Sequence, residues 1–400
     1  MTPTPSPQST GILAGIRVLD FGRYVAGPWC AQLLQGLGAD VVRVERPTGG
    51  EDRFLFPISD DVGAYLLHCN RGKRSLTLNP TKPQGRAIVE KLIAWTDVIV
   101  ANVPDESLAA MGLDWESVHA MNPRVVLATV STFGTTGPYA GRLGFDGIGQ
   151  VMSGAVHMTG HPGEPMKAFY PWVDYGTASN LAFAVVAALY GRTNTGVGIR
   201  VEASLLGTAL AAGGHVLIEQ DVSAPDRVGT GNRHPAVGPS DIVTTTDGRI
   251  IIQIIGTTIF ARWARMIGHP EFVDDPRFAT DDLRGENGVA LSAAAAAWAG
   301  TRTTAAALEV LSAADIPAGP VYSLQQTLDD PHVSAVMLDT AEVIGHDRPV
   351  RAVASPVRFT DGGAPLGTRA PGLGEHTNSL LTELGYSGAE IETLKEARIV

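Results

Sequence analysis

The sequence predicts an α/β protein: a mostly parallel sheet covered by helices on both faces, with a smaller α/β segment in the middle of the chain. Three observations predict it. Short β-branched runs alternate with helical stretches between residues 17 and 130 at the spacing of βαβ units. A separate strand–turn–strand signal around Asp247-Gly248 is followed by Ala-rich helical stretches. The composition, 44% hydrophobic and 18% charged with 46 Gly and 26 Pro, fits a compact, turn-rich chain of two or three domains.

In order, Arg17-Val-Leu-Asp-Phe21 reads as a strand, and Pro28 is placed to open a helix reaching residue 37. Val41-Val-Arg-Val-Glu45 reads as a second, buried strand. The Gly36-Leu-Gly38 pair lies after a helix and before a strand, the reverse of a dinucleotide-binding turn, so it is read as a helix end. Asn70-Arg-Gly-Lys-Arg-Ser75 reads as a basic loop before a strand at 75–78. A helix follows over 83–95, with Pro83 in its first turn and Ile88, Leu92 and Ile93 on its apolar side. Strands are expected at 97–100 and 125–130, with a helix over 115–121 capped by Asp114 between them.

The stretch 177–190 is apolar on all sides, as in a buried helix, and ends at the turn Asn194-Thr-Gly196. A looser segment, 219–239, precedes a helix near 257–267 and two more at 291–299 and 303–311. The last 70 residues return to strand and loop and end in a helix near 387–397. The expected division is a tail at 1–10, a large domain over 11–224, a small domain over 225–330 and a C-terminal return over 331–400.

A net charge of -11 argues against nucleic acid as the main partner. No apolar run is long enough for a membrane span, and residues 1–10 lack a signal-peptide pattern. Cys30 and Cys69 are too few for a disulfide framework and have no metal-ligand spacing; four histidines, His119, His157, His161 and His234, have none either. The chain is read as cytoplasmic, with no membrane partner and no metal.

Two sets of residues carry chemistry. Asp174 stands just before the apolar 177–190 stretch, in the position of a helix N-cap. There the unpaired N–H groups and the positive end of the dipole favour an ionised carboxylate, able to act as a nucleophile. An acidic chain that binds a polyphosphate must concentrate its cations locally, and Arg46, Arg71, Lys73, Arg74 and Arg142 fall at expected strand or helix ends. Each set has an ordinary reading as well, a plain cap and solvated surface charge.

Taken together, several stretches resemble the class III CoA-transferases, the family that includes formyl-CoA transferase, L-carnitine CoA-transferase and α-methylacyl-CoA racemase. They are Asp20-Phe-Gly-Arg-Tyr-Val-Ala-Gly-Pro28, Gly38-Ala-Asp-Val-Val-Arg-Val-Glu-Arg-Pro47, Asn70-Arg-Gly-Lys-Arg-Ser75, Gly134-Thr-Thr-Gly-Pro138 and Val173-Asp174-Tyr175. Asn194-Thr-Gly196, Gly231-Asn-Arg-His-Pro235, Asp315-Ile-Pro-Ala-Gly-Pro-Val321 and Ala370-Pro-Gly-Leu-Gly-Glu-His-Thr377 follow in the family's order. The resemblance implies a Rossmann-like large domain made from both chain ends, a small middle domain and an interlocked homodimer. It implies transfer of CoA from an acyl-CoA to a small carboxylic acid through an aspartyl thioester on Asp174, with no metal or redox cofactor. Carried over position by position, the CoA-binding residues are Val25, Ala26, Arg46, Leu78, Asn79, Thr81, Asn102, Val103, Phe145 and Asp146.

The chain departs from the formyl-CoA enzyme at Val25, where that enzyme has Gln, at Ala110, where it has Arg, and in a glycine-rich lid reduced to Gly231 and Gly238. These departures point away from formyl or oxalate specificity. The competing readings are an acyl-CoA racemase on the same scaffold and a non-catalytic CoA binder. Racemases of the family carry a His at the position of Phe145 and a Glu at that of Gly238, so the racemase reading lacks its second acid/base group.

Overall fold

The computed structural model describes residues 10–60, 62–363 and 366–400. Of the expected tail, 1–10, all but Thr10 lies outside the described residues. Six strands form the central sheet: β1 (Arg17–Asp20), β2 (Asp40–Glu45), β3 (Arg74–Thr77), β4 (Val98–Ala101), β5 (Val126–Ser131) and β6 (Arg200–Ser204). Their order across the sheet is β6-β5-β4-β1-β2-β3, and every pairing is parallel. The chain therefore winds outward from β1 in both directions and leaves a crevice between the carboxyl ends of β1 and β4, where ligands of open α/β sheets bind.

The two-residue period of a strand divides the core. Val18, Val98, Val100, Val126 and Ala128 face one side, where the Ala26–Gln35 and Trp172–Thr195 helices pack. Leu19, Val42, Ile99 and Leu127 face the other, against the Pro83–Trp95 and Trp115–Met121 helices. The C-terminal residues belong to this second side. Leu380, Leu381, Ile391 and Leu394 join its core, His376 donates its N–H to the Ser75 carbonyl, and Asn79 bonds the Ile399 carbonyl. The last helix, Gly388–Glu396, opens on a capping box between Ser387 and Glu390.

The chain divides into two compact units. Among the described residues, one comprises those from Thr10 to Ser153, 168–216 and those from Pro331 onward; the other comprises 154–167 and 217–330, so it takes in a short earlier segment and starts before the expected 225. The second unit has an antiparallel sheet of Ser240–Thr244, Arg249–Gln253 and Ala318–Pro320, backed by Phe260, Trp263, Phe278 and Leu291.

Four local expectations are corrected. The Trp172–Thr195 helix begins two residues before Asp174, so Asp174 is its third residue and Pro171 takes the cap position. That helix is not buried all round: Leu181, Val185 and Leu189 are in the core, while Phe183 is 78% and Tyr190 74% exposed. The helix also continues through Asn194 and Thr195 and ends at Gly196, whose φ of 73° closes it. The first part of the segment expected to be loose is helical, Gly214–Ser223.

Candidate active site

The carboxyl edge of the sheet gathers most of the residues singled out above, but it uses them differently. Asn102, just after β4, spends its amide on the backbone of Arg23, accepting the N–H at 2.7 Å and donating to the carbonyl at 2.8 Å. Its side-chain amide thereby clamps the loop after β1. Gly27 makes this approach possible, because a Cβ there would stand 3.0 Å from Asn102 Oδ1 and 2.8 Å from Gly22 Cα. Val25, Ala26 and Leu78 are buried, and Val103 packs on the core, so Val25, Ala26 and Leu78 can offer a ligand only their backbone. Asn79 accepts from the Thr81 N–H and hydroxyl, forming a turn after β3.

The five cations do not act as a group. Lys73 is fully enclosed, its ammonium 2.7 Å from Asp20 Oδ2, 2.8 Å from the Pro28 carbonyl and 2.9 Å from Asn70 Oδ1. Arg71 is buried and bonds the Val353 carbonyl, and Arg74 begins β3 and pairs with Asp40 and Glu383. The stretch expected to be a basic loop is thus the end of one helix, a turn and a strand start. Arg46 stays largely exposed, and Arg142 lies over the Tyr139 ring.

Asp146 is the first residue of the Asp146–Met152 helix and is buried. Its Oδ1 accepts the N–H of Val173 at 2.8 Å and of Asp174 at 3.2 Å, and Gln150 Nε2 donates to its Oδ2 at 2.5 Å. Pro171 offers the Trp172–Thr195 helix no capping side chain, so Asp146 caps it from another helix. Gly149 allows the approach, since a Cβ there would meet Val173 at 2.9 Å. Both oxygens of Asp146 are thus engaged, Oδ1 on the start of the Trp172–Thr195 helix and Oδ2 on Gln150.

Asp174 is half-buried, and among the described residues no hydrogen bond holds its carboxylate. The helix start was expected to keep it ionised at neutral pH; its surroundings instead favour the protonated form. Burial, with the Asp146 charge second, pushes it up to about 7. Around it stand aromatic and thiol groups that the sequence reading missed. Tyr65 is raised by burial and by the charges of Cys69, Asp174 and Asp146. Tyr175 is hydrogen-bonded to Cys69, whose thiol burial pushes up to about 12, too high for a nucleophile near neutral pH. Trp29 stacks on His68 at 4.7 Å and meets Tyr175 edge-on at 5.5 Å. His68 is pushed down to about 4 by burial and by Arg71, so it is neutral. Tyr65, His68 and Cys69 lie on the Ala64–Asn70 helix at i, i+3 and i+4, a one-face spacing readable in the sequence but too short to stand out. At the rim, Tyr24, itself left-handed at φ 60°, meets the exposed Phe145 ring edge-on at 5.8 Å.

The sequence profile of CoA-transferase family III matches residues 13–377. The chain belongs to that family. It is 33% identical to the succinate–glutarate CoA-transferase of Agrobacterium fabrum over 95% of this chain and 98% of that one. It is also 33% identical to the succinyl-CoA–D-citramalate CoA-transferase of Chloroflexus aurantiacus, over 97% and 98%. Among solved structures, a CAIB/BAIF family protein from Brucella suis superposes with a TM-score of 0.82 at 32% identity, covering 94% of this chain and all of that one. The parallel-sheet α/β fold is therefore that of the family.

The carboxylate pair in this family III chain has a measurable consequence. If Asp174 must be ionised to react, kcat/KM should rise with pH and level off above about 7. Asp146→Asn keeps an oxygen for the two helix N–H groups but removes the neighbouring charge, so the rising limb should move toward acid. Burial, the larger cause, remains, and the limb should stay above the ordinary carboxylate range. At pH 6 the variant should hold about three to ten times more of its plateau rate than the wild type. An unmoved limb would mean that Asp146 does not tune Asp174.

Proposed function

We propose that this protein transfers CoA from an acyl-CoA donor to a free carboxylic acid, with Asp174 as the covalent carrier. The observation that carries the reading is the Asp174 carboxylate itself. It is unbonded among the described residues, and its backbone N–H is fixed by Asp146, so the first turn of the helix holds the side chain in place with both oxygens free. In this reading the carboxylate attacks the thioester carbonyl and expels CoA thiolate, leaving a mixed anhydride. The thiolate then attacks the aspartyl carbonyl, which releases the donor acid and forms the aspartyl-CoA thioester. The acceptor carboxylate attacks that thioester, and the thiolate re-expelled takes up the acceptor acyl group and frees Asp174. Every step is an acyl transfer between oxygen and sulfur, so none calls for a metal or redox group.

The names of the two relatives, which pair succinate with glutarate and succinyl-CoA with D-citramalate, support succinyl-CoA as the first donor to try and short dicarboxylic acids as acceptors. The racemase reading is disfavoured. Phe145 carries no proton to exchange, and Gly238 has no room for a side chain, since a Cβ would lie 2.8 Å from the Arg284 carbonyl oxygen. A matrix of acyl-CoA donors against mono- and dicarboxylic acids, run beside a 2-methylacyl-CoA in deuterated water, tests all three readings. New acyl-CoA should form with at least one pair, with no appreciable deuterium at the α-carbon. Rapid α-deuteration without transfer would replace the proposal with racemisation, and no turnover with any pair would leave a binder.

An interlocked homodimer and a cytoplasmic location belong to the same reading. The exposed Phe183 and Tyr190 support the first, and the two cysteines, both free and buried, fit the second. No helix among the described residues is long and apolar enough to cross a membrane.

A further inference from the structure

The carboxyl edge of the sheet holds one charge cluster that the chemistry above does not use. Arg23 follows β1 and Arg46 follows β2, two neighbouring parallel strands. Between them stands Glu51, first residue of the Glu51–Phe54 turn. Its Oε1 alone receives both guanidinium groups: Arg46 at 2.6 Å, and Arg23 in a hydrogen-bonded pair. The side chains of Arg23, Arg46 and Glu51 are 46%, 52% and 38% exposed, in contrast to the neighbouring Arg43–Asp52 and Arg53–Glu45 pairs, which are buried and neutralise one another. The cluster keeps one unbalanced positive charge at the surface of a chain with net charge -11.

Arg23 is also unusually fixed for an exposed cation. Asn102 holds its backbone N–H and carbonyl, and Arg46 Nε donates to the Gly49 carbonyl at 2.7 Å. One guanidinium anchored at its Nε, that of Arg46, and one carried on a fixed backbone, that of Arg23, share one carboxylate oxygen; this is the layout of a phosphate clamp, in which two cations bridge one anionic oxygen. An exposed guanidinium–carboxylate contact of this kind contributes little stability, so a better anion can replace it.

We infer that Arg23 and Arg46 form a phosphate clamp for the nucleotide end of CoA, and that the Glu51 carboxylate is an internal placeholder which the phosphate displaces. The inference rests on the CoA reading above and adds to it a second arginine and a built-in competitor. Because Glu51 occupies the clamp in the free protein, it weakens CoA binding by the fraction of molecules in which the clamp is closed on it. It also selects for ligands that carry a phosphate.

Calorimetric binding of CoA, 3′-dephospho-CoA and pantetheine to the full-length protein tests this. Glu51→Gln should bind CoA about three- to tenfold more tightly. Arg23→Ala and Arg46→Ala should each bind it about ten- to a hundredfold more weakly, with a shallower salt dependence, and Arg23→Lys should recover part of the loss. Pantetheine, which has no phosphate of the nucleotide end, should be indifferent to all four changes. If the arginine losses vanish with 3′-dephospho-CoA, the clamped group is the 3′-phosphate; if they persist, it is the diphosphate. CoA affinity unchanged in Glu51→Gln and Arg23→Ala overturns the clamp while leaving the CoA reading intact. A wild type that binds neither CoA nor pantetheine overturns both. Equal thermal stability of the variants guards against misfolding, which exposed side chains make easy to satisfy.

Discussion

Replacing Asp174 with alanine should slow CoA transfer at least about a thousandfold while leaving CoA bound, the scale expected when a member of a catalytic unit is removed. The reason is chemical. Direct attack of a free carboxylate on the thioester would give a donor–acceptor anhydride and a loose CoA thiolate, with nothing to hold either for the second acyl transfer. An enzyme carboxylate that becomes the acyl carrier splits the exchange into anhydride and thioester steps. Of the two carboxylates here, Asp146 has both oxygens bound, to the Val173 and Asp174 N–H groups and to Gln150, whereas Asp174 has neither. Quenching enzyme with acyl-CoA should therefore give an adduct on the peptide carrying Asp174, reducible to an alcohol by borohydride. An adduct on Asp146, or near-normal activity in Asp174→Ala, would end the assignment.

The same residue should cost stability. Its carboxyl is raised from the ordinary value near 4 to about 7, so between those pH values the folded chain retains a proton that the unfolded chain gives up. Stability from this group is complete at low pH and is lost as pH rises through about 7. Asp174→Asn, inactive but uncharged, should then be more heat-stable than wild type at pH 8, by on the order of 2–4 kcal/mol, and equal to it near pH 4.

Lys73→Met should be the most destabilising single change at this edge, lowering stability by about 3–5 kcal/mol. Lys73 and Asp20 have no exposed side-chain surface, and the ammonium also satisfies the Pro28 carbonyl and Asn70. Burial lowers the Lys73 pKa and the Asp20 charge opposes that, so the pair survives only together. Removing the lysine leaves a buried carboxylate whose other oxygen holds the Gly22 N–H, the turn that leads into Arg23. Urea unfolding followed by tryptophan fluorescence should show a lower midpoint with an unchanged slope, and Asp20→Asn in the same chain should recover part of the loss. Wild-type stability together with a raised KM for acyl-CoA would return Lys73 to the surface as a phosphate contact.

The chain itself determined the sheet and its helices. Hydrophobic runs such as Val98–Ala101, a proline at the start of the Pro83–Trp95 helix and the Asp114 cap act over a few residues, and each is legible where it stands. So were the ordered motifs that mark the family, and a carboxylate at the start of a helix, although Asp174, expected at the cap, is the third helical residue. Only the tertiary structure decided what the charged groups do. Lys73 meets a partner 53 residues away and Asp146 caps a helix 27 residues on, and no local pattern encodes either meeting. A cation in a basic stretch looks the same in sequence whether it is solvated, like Arg46, or sealed against a carboxylate, like Lys73. The desolvation that lifts Asp174 arises likewise from atoms brought together by folding, because burial is a property of the assembled packing and not of neighbours along the chain.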